Sequence, residues 1–220
     1  MQDIVIYGAG GFAREVAYLI EIINEKKVTW NLKGYIDDNP ENTGKILNGY
    51  PVLGTIEWLL SLNQEINVVI GIGSPRVKKL IYNKLKDYSH IKFPNIIHPG
   101  VRISNTNKIG MGNIICEGNI LTCNIEIGNF VIVNLNCTIG HDTVIEDYTT
   151  ILPNSSISGN VRLKEGVDFG TNATIIQGVS VGEYAIIGAG AVIVKDIPPH
   201  CTAVGVPAKP IKFHDEANQA

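Results

Sequence analysis

Cysteine is scarce. Cys116, Cys123, Cys137 and Cys201 are the four in a chain of 220 residues, with no Cys-x-x-Cys spacing among them. That density excludes a disulfide scaffold and leaves four reduced thiols. Excess positive charge is missing as well: a formal net charge of -3 carries no basic footprint, which argues against nucleic acid as the main partner. No segment has about 18 uninterrupted apolar residues, and the start, Met1-Gln2-Asp3-Ile4-Val5-Ile6, lacks a basic region followed by a long apolar run. The expectation is a cytoplasmic protein without membrane insertion. What is present, 45% hydrophobic and 18% charged residues, suits one or two soluble domains with a real core.

The dominant pattern is a period of six. From Ile97 to Ile193 every sixth residue is large and apolar, through Ile115, Leu121, Ile139, Ile145, Phe169 and Ile187 among others, without a miss. At the chain's apolar frequency such a run has odds on the order of one in a million. Four residues after each of these stands a small or apolar residue or an Asn, as at Asn107, Asn113, Asn119, Cys137, Thr143 and Ala185, and none is charged. Two steps from there to the next large residue is the same-face spacing of a strand, whereas the preceding four break the alternation. Each hexad is therefore a short strand plus a corner. Gly110, Gly128, Gly140, Gly170, Gly182 and Gly188 directly follow the large residue, and corner freedom of the backbone is the expected reason. Three hexads close a triangle, and stacked triangles make a parallel β-helix of five to six coils with a central column of Ile and Val.

Before the repeat, Asp3 to Gly8 reads as a buried strand that ends in Gly8-Ala9-Gly10-Gly11-Phe12-Ala13. An amphipathic helix follows on Val16, Leu19, Ile20 and Ile23. Glycines in this G-x-G-x-x-(G/A) turn let backbone amides at a helix N-terminus meet a phosphate, although the same glycines would also serve tight packing. A second strand, Leu32 to Ile36, runs into Asp37-Asp38-Asn39-Pro40, where the acids suit a ribose or base, or simply a solvated turn. A short helix around Trp58, an apolar run from Asn67 to Ile72 with Gly71 and Gly73, and a helix from Ser74-Pro75 to about Lys86 complete a small parallel α/β unit. The expected domains are residues 1–93, a β-helix over 94–211 bounded by Phe93-Pro94, and a loose polar tail over 212–220.

Of the titratable pairs at corners of the central coils, one is chemically suggestive: His141-Asp142, the second and third residues after Ile139. A neutral imidazole removes a proton from an amine or hydroxyl near neutral pH, and an adjacent carboxylate orients it and favours its protonated form. By itself such a pair reads equally as a solvated surface histidine.

Gly8 to Arg14, Asp37-Asp38, Gly71 to Ser74, the coils, Ile139-Gly140-His141-Asp142 and the tail Gly205-Val206-Pro207-Ala208-Lys209 together resemble the sugar O-acyltransferase family of sialic acid O-acetyltransferase type. These are hexapeptide-repeat acyltransferases that include bacterial nucleotide-amino-sugar N-acetyltransferases. The resemblance spans essentially the whole chain. It implies a Rossmann-like N-terminal domain followed by a left-handed parallel β-helix, and a homotrimer with acetyl-CoA bound between subunits. It further implies His141 as general base, Asp142 as the acid that raises its basicity, and no metal. Gly10, Gly11, Phe12, Asp37, Asp38 and Gly73 match positions that hold the nucleotide-linked sugar, and Thr150, Gly159, Thr171 and Ala189 match the acetyl-CoA cleft. The Gly159 amide is the candidate oxyanion donor.

Two departures stand out: the family commonly has His where this chain has Phe12, and again where it has Thr150. The implied reaction is transfer of acetyl to the amino group of a nucleotide sugar in surface glycan synthesis, with transfer to a hydroxyl, as on sialic acid, left open. A metal hydratase needs three converging histidines, yet the central coils hold only His141. A nicotinamide enzyme would need a second dinucleotide half. A non-catalytic sugar-nucleotide binder would leave His141-Asp142 without a purpose.

Overall fold

The computed structural model describes residues 1–214, so that 215–220, the end of the expected tail, lie outside the described residues. The chain divides into two compact units, Met1–Gly73 with Val77–Pro99, and Ser74–Arg76 with the chain from Gly100 onward.

The first unit is built on β1 (Gln2–Tyr7), α1 (Gly11–Lys26), β2 (Trp30–Ile36), β3 (Ile46–Leu47), β4 (Tyr50–Gly54), α2 (Ile56–Leu60), β5 (Ile66–Ile70), α3 (Pro75–Leu85) and β6 (Ile91–Lys92). The sheet order is β3-β4-β2-β1-β5-β6, parallel except for the β3–β4 hairpin. β1 and β5 are continuous apolar runs because both faces of a parallel sheet are covered; Ile4 to Ile6 and Val68 to Val69 are fully buried. On one face α1 packs Ala13, Val16, Ala17, Leu19 and Ile20 inward. The chain leaves β1 toward β2 on one side and reaches β5 on the other. The crevice beyond the strand ends between β1 and β5 is therefore the switch point at which such sheets bind ligands.

The second unit is a β-helix of two-residue strands. Five parallel strands stack on one face, beginning at Ile120, Thr138, Ser156, Thr174 and Val192. Five more begin at Lys108, Glu126, Val144, Arg162 and Ser180. The third face runs through Ile114–Ile115, Ile132–Val133, Thr150–Ile151, Asp168–Phe169 and Ile186–Ile187 to Cys201–Val204. Each register is 18 residues, one coil, except the last, in which Ile186 pairs with Thr202. From Ile115 to Ile193 every large residue of the period is buried, as are its partners four positions on, from Asn113 to Ala191. Below that the column opens: Ile103 lies in no strand and is exposed.

Asn113 and Asn119 are buried amides that join coils. Asn113 accepts from the Val131 amide and donates to the Gly128 carbonyl, while Asn119 accepts from the Cys137 amide and donates to the carbonyls of Cys116 and Val133. Higher up, Thr143, Thr149 and Ser155 donate in the same way to carbonyls of the next coil. These bonds explain why polar residues recur at an inward position: each satisfies backbone groups that the corner leaves unpaired.

The corner glycines act differently from expectation. Gly128, Gly140 and Gly170 are absent from the left-handed region; a Cβ on any of them would instead strike the next coil, at 2.3 Å from Asp147, 2.5 Å from Gly159 and 2.4 Å from Ile187. The left-handed residue of each corner is the third after the large one. There φ is positive at Gly112, Gly118, Asn124, Phe130, Asn136, Asp142, Tyr148, Asn154, Asn160, Gly166, Asn172, Gly178, Tyr184 and Gly190 in turn. Asn, Asp and Gly tolerate this region, and the aromatic exceptions are stabilised by packing: Phe130 and Tyr148 stack with centroids 5.7 Å apart.

The last strand, Lys209–Phe213, pairs antiparallel with Cys201–Val204. Lys212 and Phe213, expected in the loose tail, thus belong to a strand.

Candidate active site

At the switch point the glycines separate into two kinds. Gly8 has φ +112 and its missing Cβ would meet Ile72; Gly71 would meet Ile6 and Ala13. Those two are packing glycines. Gly10, Gly11 and Gly73 have nothing within 4 Å of the missing Cβ and no positive φ, so neither crowding nor backbone conformation within the chain requires them. Gly10 is the N-cap of α1 and supplies no capping side chain, which leaves first-turn amides without intrahelical partners. Phe12 is half-buried in that first turn.

Beside this turn, Tyr7, Gly8, Asp37, Asp38, Ile72, Leu80 and Lys84 are among the residues around a cavity of about 340 Å³. Asp37 is partly a turn residue, since its Oδ1 accepts from the Asn39 amide and from Asn42. Asp38 accepts from the Tyr7 hydroxyl at 2.7 Å and lies 3.8 Å from Lys84 Nζ. Burial, and then the Asp38 hydrogen bond, push the Tyr7 phenol well above its ordinary value, so Tyr7 is a lasting donor to that carboxylate.

On the β-helix, His141 and Asp142 form the corner after Thr138–Ile139, and both are half-exposed. His141 Nδ1 and Asp142 Oδ2 are 2.7 Å apart. With the carboxylate accepting from Nδ1–H, the lone pair of the neutral ring is at Nε2. The hydrogen bond from His141, followed by one from Asn124, holds the Asp142 carboxyl below the ordinary carboxylate value. One coil above, Gly159 is buried against the ring: a Cβ on it would come 2.6 Å from Nε2. Among the described residues the Gly159 amide has no hydrogen-bond partner. The backbone around the pair is held from both sides, the His141 carbonyl accepting from the Asn160 amide at 2.7 Å and the Asp142 amide donating to the Cys123 carbonyl at 3.2 Å.

Gly159 therefore lies with His141. Thr171 and Ala189 do not: they are exposed at the corner that follows Asp168–Phe169 and Ile186–Ile187, on a different sheet of the triangle. Thr150 is buried within its own chain at a strand position that normally faces outward, with its amide bonded to the Val167 carbonyl. Asn124 was not legible as a site residue by type; its signal is the 18-residue period, which sets it one coil below Asp142. Among the described residues no three His, Cys, Asp or Glu side chains are grouped so as to hold a metal ion, and no helix is long and apolar enough to cross a membrane.

Residues 3–85 match the PglD N-terminal domain family. Across nearly the full length, the chain is 29% identical over 214 residues to GDP-perosamine N-acetyltransferase of Escherichia coli O157:H7, covering 94% of this chain and 95% of the relative. The acetyltransferase domain of PglB from Neisseria gonorrhoeae FA1090, solved with acetyl coenzyme A, superposes with a TM-score of 0.86 at 31% identity, covering 96% of this chain and 99% of that one. A mutant of perosamine N-acetyltransferase from Caulobacter crescentus, solved with CoA and GDP-perosamine, superposes with a TM-score of 0.86 at 27% identity over 96% and 98%. The coils, the corner His-Asp pair and these full-length similarities lead to one family: the chain belongs to the hexapeptide-repeat acyltransferases of the sugar O-acyltransferase type, alongside the PglB acetyltransferase domain and the perosamine N-acetyltransferases.

Proposed function

We infer that the protein transfers the acetyl group of acetyl-CoA to the amino group of a nucleotide-linked amino sugar destined for glycan synthesis. The observation that carries this is the 2.7 Å contact of His141 Nδ1 with Asp142, which leaves Nε2 as a base beside the unpaired Gly159 amide. The acceptor nitrogen attacks the thioester carbonyl and passes its proton to Nε2. The C–N bond forms, and negative charge collects on the carbonyl oxygen, where the Gly159 amide donates to it. Collapse breaks the C–S bond, and CoA leaves as a thiolate that needs little acid assistance. Asp142 stabilises the imidazolium that forms.

The nucleotide diphosphate binds at the free amides of the α1 N-terminus, with Gly10, Gly11 and Gly73 leaving it room. Asp37 and Asp38 line the adjoining cavity for the nucleoside, and Phe12 offers an apolar face to the sugar. Thr150, Thr171 and Ala189 serve acetyl-CoA. Both substrates are charged and do not cross a lipid bilayer, which favours a cytoplasmic site of action.

The working form is a homotrimer. His141 and Gly159 lie on one corner of the triangle, Thr171 and Ala189 on another, and one acetyl-CoA reaches both sets when the second corner comes from a neighbouring copy. Exposed apolar residues flank both corners, Ile176 beside the first and Leu135 in line with the second. Two different patches that meet head to tail are what a cyclic assembly needs. The test is CoA release and product mass with acetyl-CoA against a panel of UDP-, GDP- and TDP-linked amino sugars and free sialic acid, together with the sedimentation mass. An N-acetylated nucleotide sugar formed by a trimer supports this function. An O-acetylated product, or full activity of a monomer, contradicts it.

A further inference from the structure

The backbone of His141-Asp142 is fixed by bonds to the coils above and below, and the ring is confined by Gly159. The carboxylate of Asp142 alone retains a rotation that would carry Oδ2 off Nδ1. That rotation is blocked from below: the Asn124 side chain donates from Nδ2 to Asp142 Oδ1 at 3.1 Å. Asn124 is itself anchored, its amide donating to Thr106 Oγ1 at 3.0 Å and its backbone left-handed at φ 57, matching Asp142 above it at φ 57.

We propose that Asn124 is a positioning residue of the reaction, gripping one oxygen of Asp142 so that the other stays on His141 Nδ1. This rests on the reading of His141 as the base. A hydroxyl or an apolar group at this place would lack the reach or the donor. A carboxylate would repel Asp142. The left-handed corner restricts the choice further, to residues such as Asn, Asp and Gly, of which only Asn also donates. Asp142 takes this second hydrogen bond as an anion, and after the larger effect of the His141 bond it helps to hold the carboxyl low.

At this corner the coil below presents Thr122, Cys123 and Asn124 and the coil above Ser158, Gly159 and Asn160. Cys123 is the one titratable side chain among these six. The Asp142 carboxylate is therefore the one charged group that Asn124 can place against the imidazole, and losing its alignment with Nδ1 removes the group that stabilises the imidazolium as it forms.

The test compares Asn124→Gly, Asn124→Asp, Asp142→Asn, the double variant Asn124→Gly/Asp142→Asn, and His141→Ala in the full chain, measuring kcat, both KM values and the melting temperature. Glycine accepts the left-handed backbone without strain and already occupies this corner position at Gly112, Gly118, Gly166, Gly178 and Gly190. The expected result for Asn124→Gly is a kcat lower by about tenfold, the scale of one hydrogen bond to a charged group. Both KM values stay unchanged. Asn124→Asp is slower still, and the double variant is no slower than Asp142→Asn alone. A wild-type kcat in Asn124→Gly, a change confined to KM, or losses that multiply in the double variant overturn the role of Asn124 while leaving the base intact. Full activity in His141→Ala overturns the base itself, and with it this inference.

Discussion

Gly159 lies against the His141 imidazole one coil below it, so closely that a single added methyl would come within 2.6 Å of Nε2. Gly159 has no positive φ, so alanine fits its backbone, and the penalty of Gly159→Ala falls on the ring and not on the corner. The predicted outcome is a loss of kcat of at least about 100-fold, the scale of misplacing a catalytic group by about 1 Å, with a melting temperature near wild type. A folded variant that keeps wild-type kcat would show that nothing reactive happens at Nε2.

Asn119 makes three hydrogen bonds in the buried interior, and each of its partners is a backbone group of this coil or the next. Asn119→Leu removes this partner from the Cys137 amide and the Cys116 carbonyl, while the Val133 carbonyl keeps the Cys116 amide. Unsatisfied buried groups cost about 1–3 kcal/mol each, so equilibrium urea unfolding is expected to show a loss of roughly 2 kcal/mol or more. A difference under about 1 kcal/mol would mean that water takes over these bonds.

Ile145 is buried in the apolar column. Ile145→Ala is expected to cost about 2–5 kcal/mol through lost burial and the cavity left behind, and Ile145→Asp to leave no cooperative thermal transition, because an unpaired charge would sit in the column. A well-folded Ile145→Asp protein would contradict the register of the coils.

The thiols offer a check that is independent of activity. Cys123 is exposed, whereas Cys116, Cys137 and Cys201 are buried. A chromogenic disulfide reagent at pH 8 is expected to titrate one thiol per native chain and four after unfolding. Burial pushes the Cys137 thiol up to about 11 from its ordinary 9.0. Between those values the unfolded chain releases this proton and the folded chain keeps it, so the stability contributed at Cys137 is complete below pH 9 and is lost as pH rises toward 11. Unfolding in urea at pH 8 and pH 10.5 should show a smaller alkaline loss for Cys137→Ala than for wild type. An equal loss would assign the effect to other groups.

The period of six was visible because burial in a triangular coil is a local rule repeated many times, and His141-Asp142 was visible because His141 is the one histidine between Ile103 and Ile193. What depends on the next coil was not. Gly128, Gly140 and Gly170 were found for the wrong reason, since the chain that crowds them is 17 to 19 residues away in sequence. The true left-handed corner carried a signal, mostly Asn or Gly at the third position after the large residue from Gly112 to Gly190, which a search for glycine alone passes over. The burial of Thr150 and the grip of Asn124 on Asp142 likewise arise from stacking and have no local pattern. In the first unit the motif gave the right turn but could not sort its glycines; only their surroundings separate Gly8 and Gly71, which serve packing, from Gly10, Gly11 and Gly73, which do not.

The most direct test of the account is single-turnover acetyl transfer to the preferred nucleotide-linked amino sugar by wild type and by His141→Ala, with acetyl-CoA binding measured on both proteins. His141 is half-exposed at a corner, so the variant should fold and bind acetyl-CoA as wild type does. The account predicts a transfer rate lower by at least about 100-fold, within the range contributed by general base catalysis. A His141→Ala protein that transfers acetyl at the wild-type rate would contradict it.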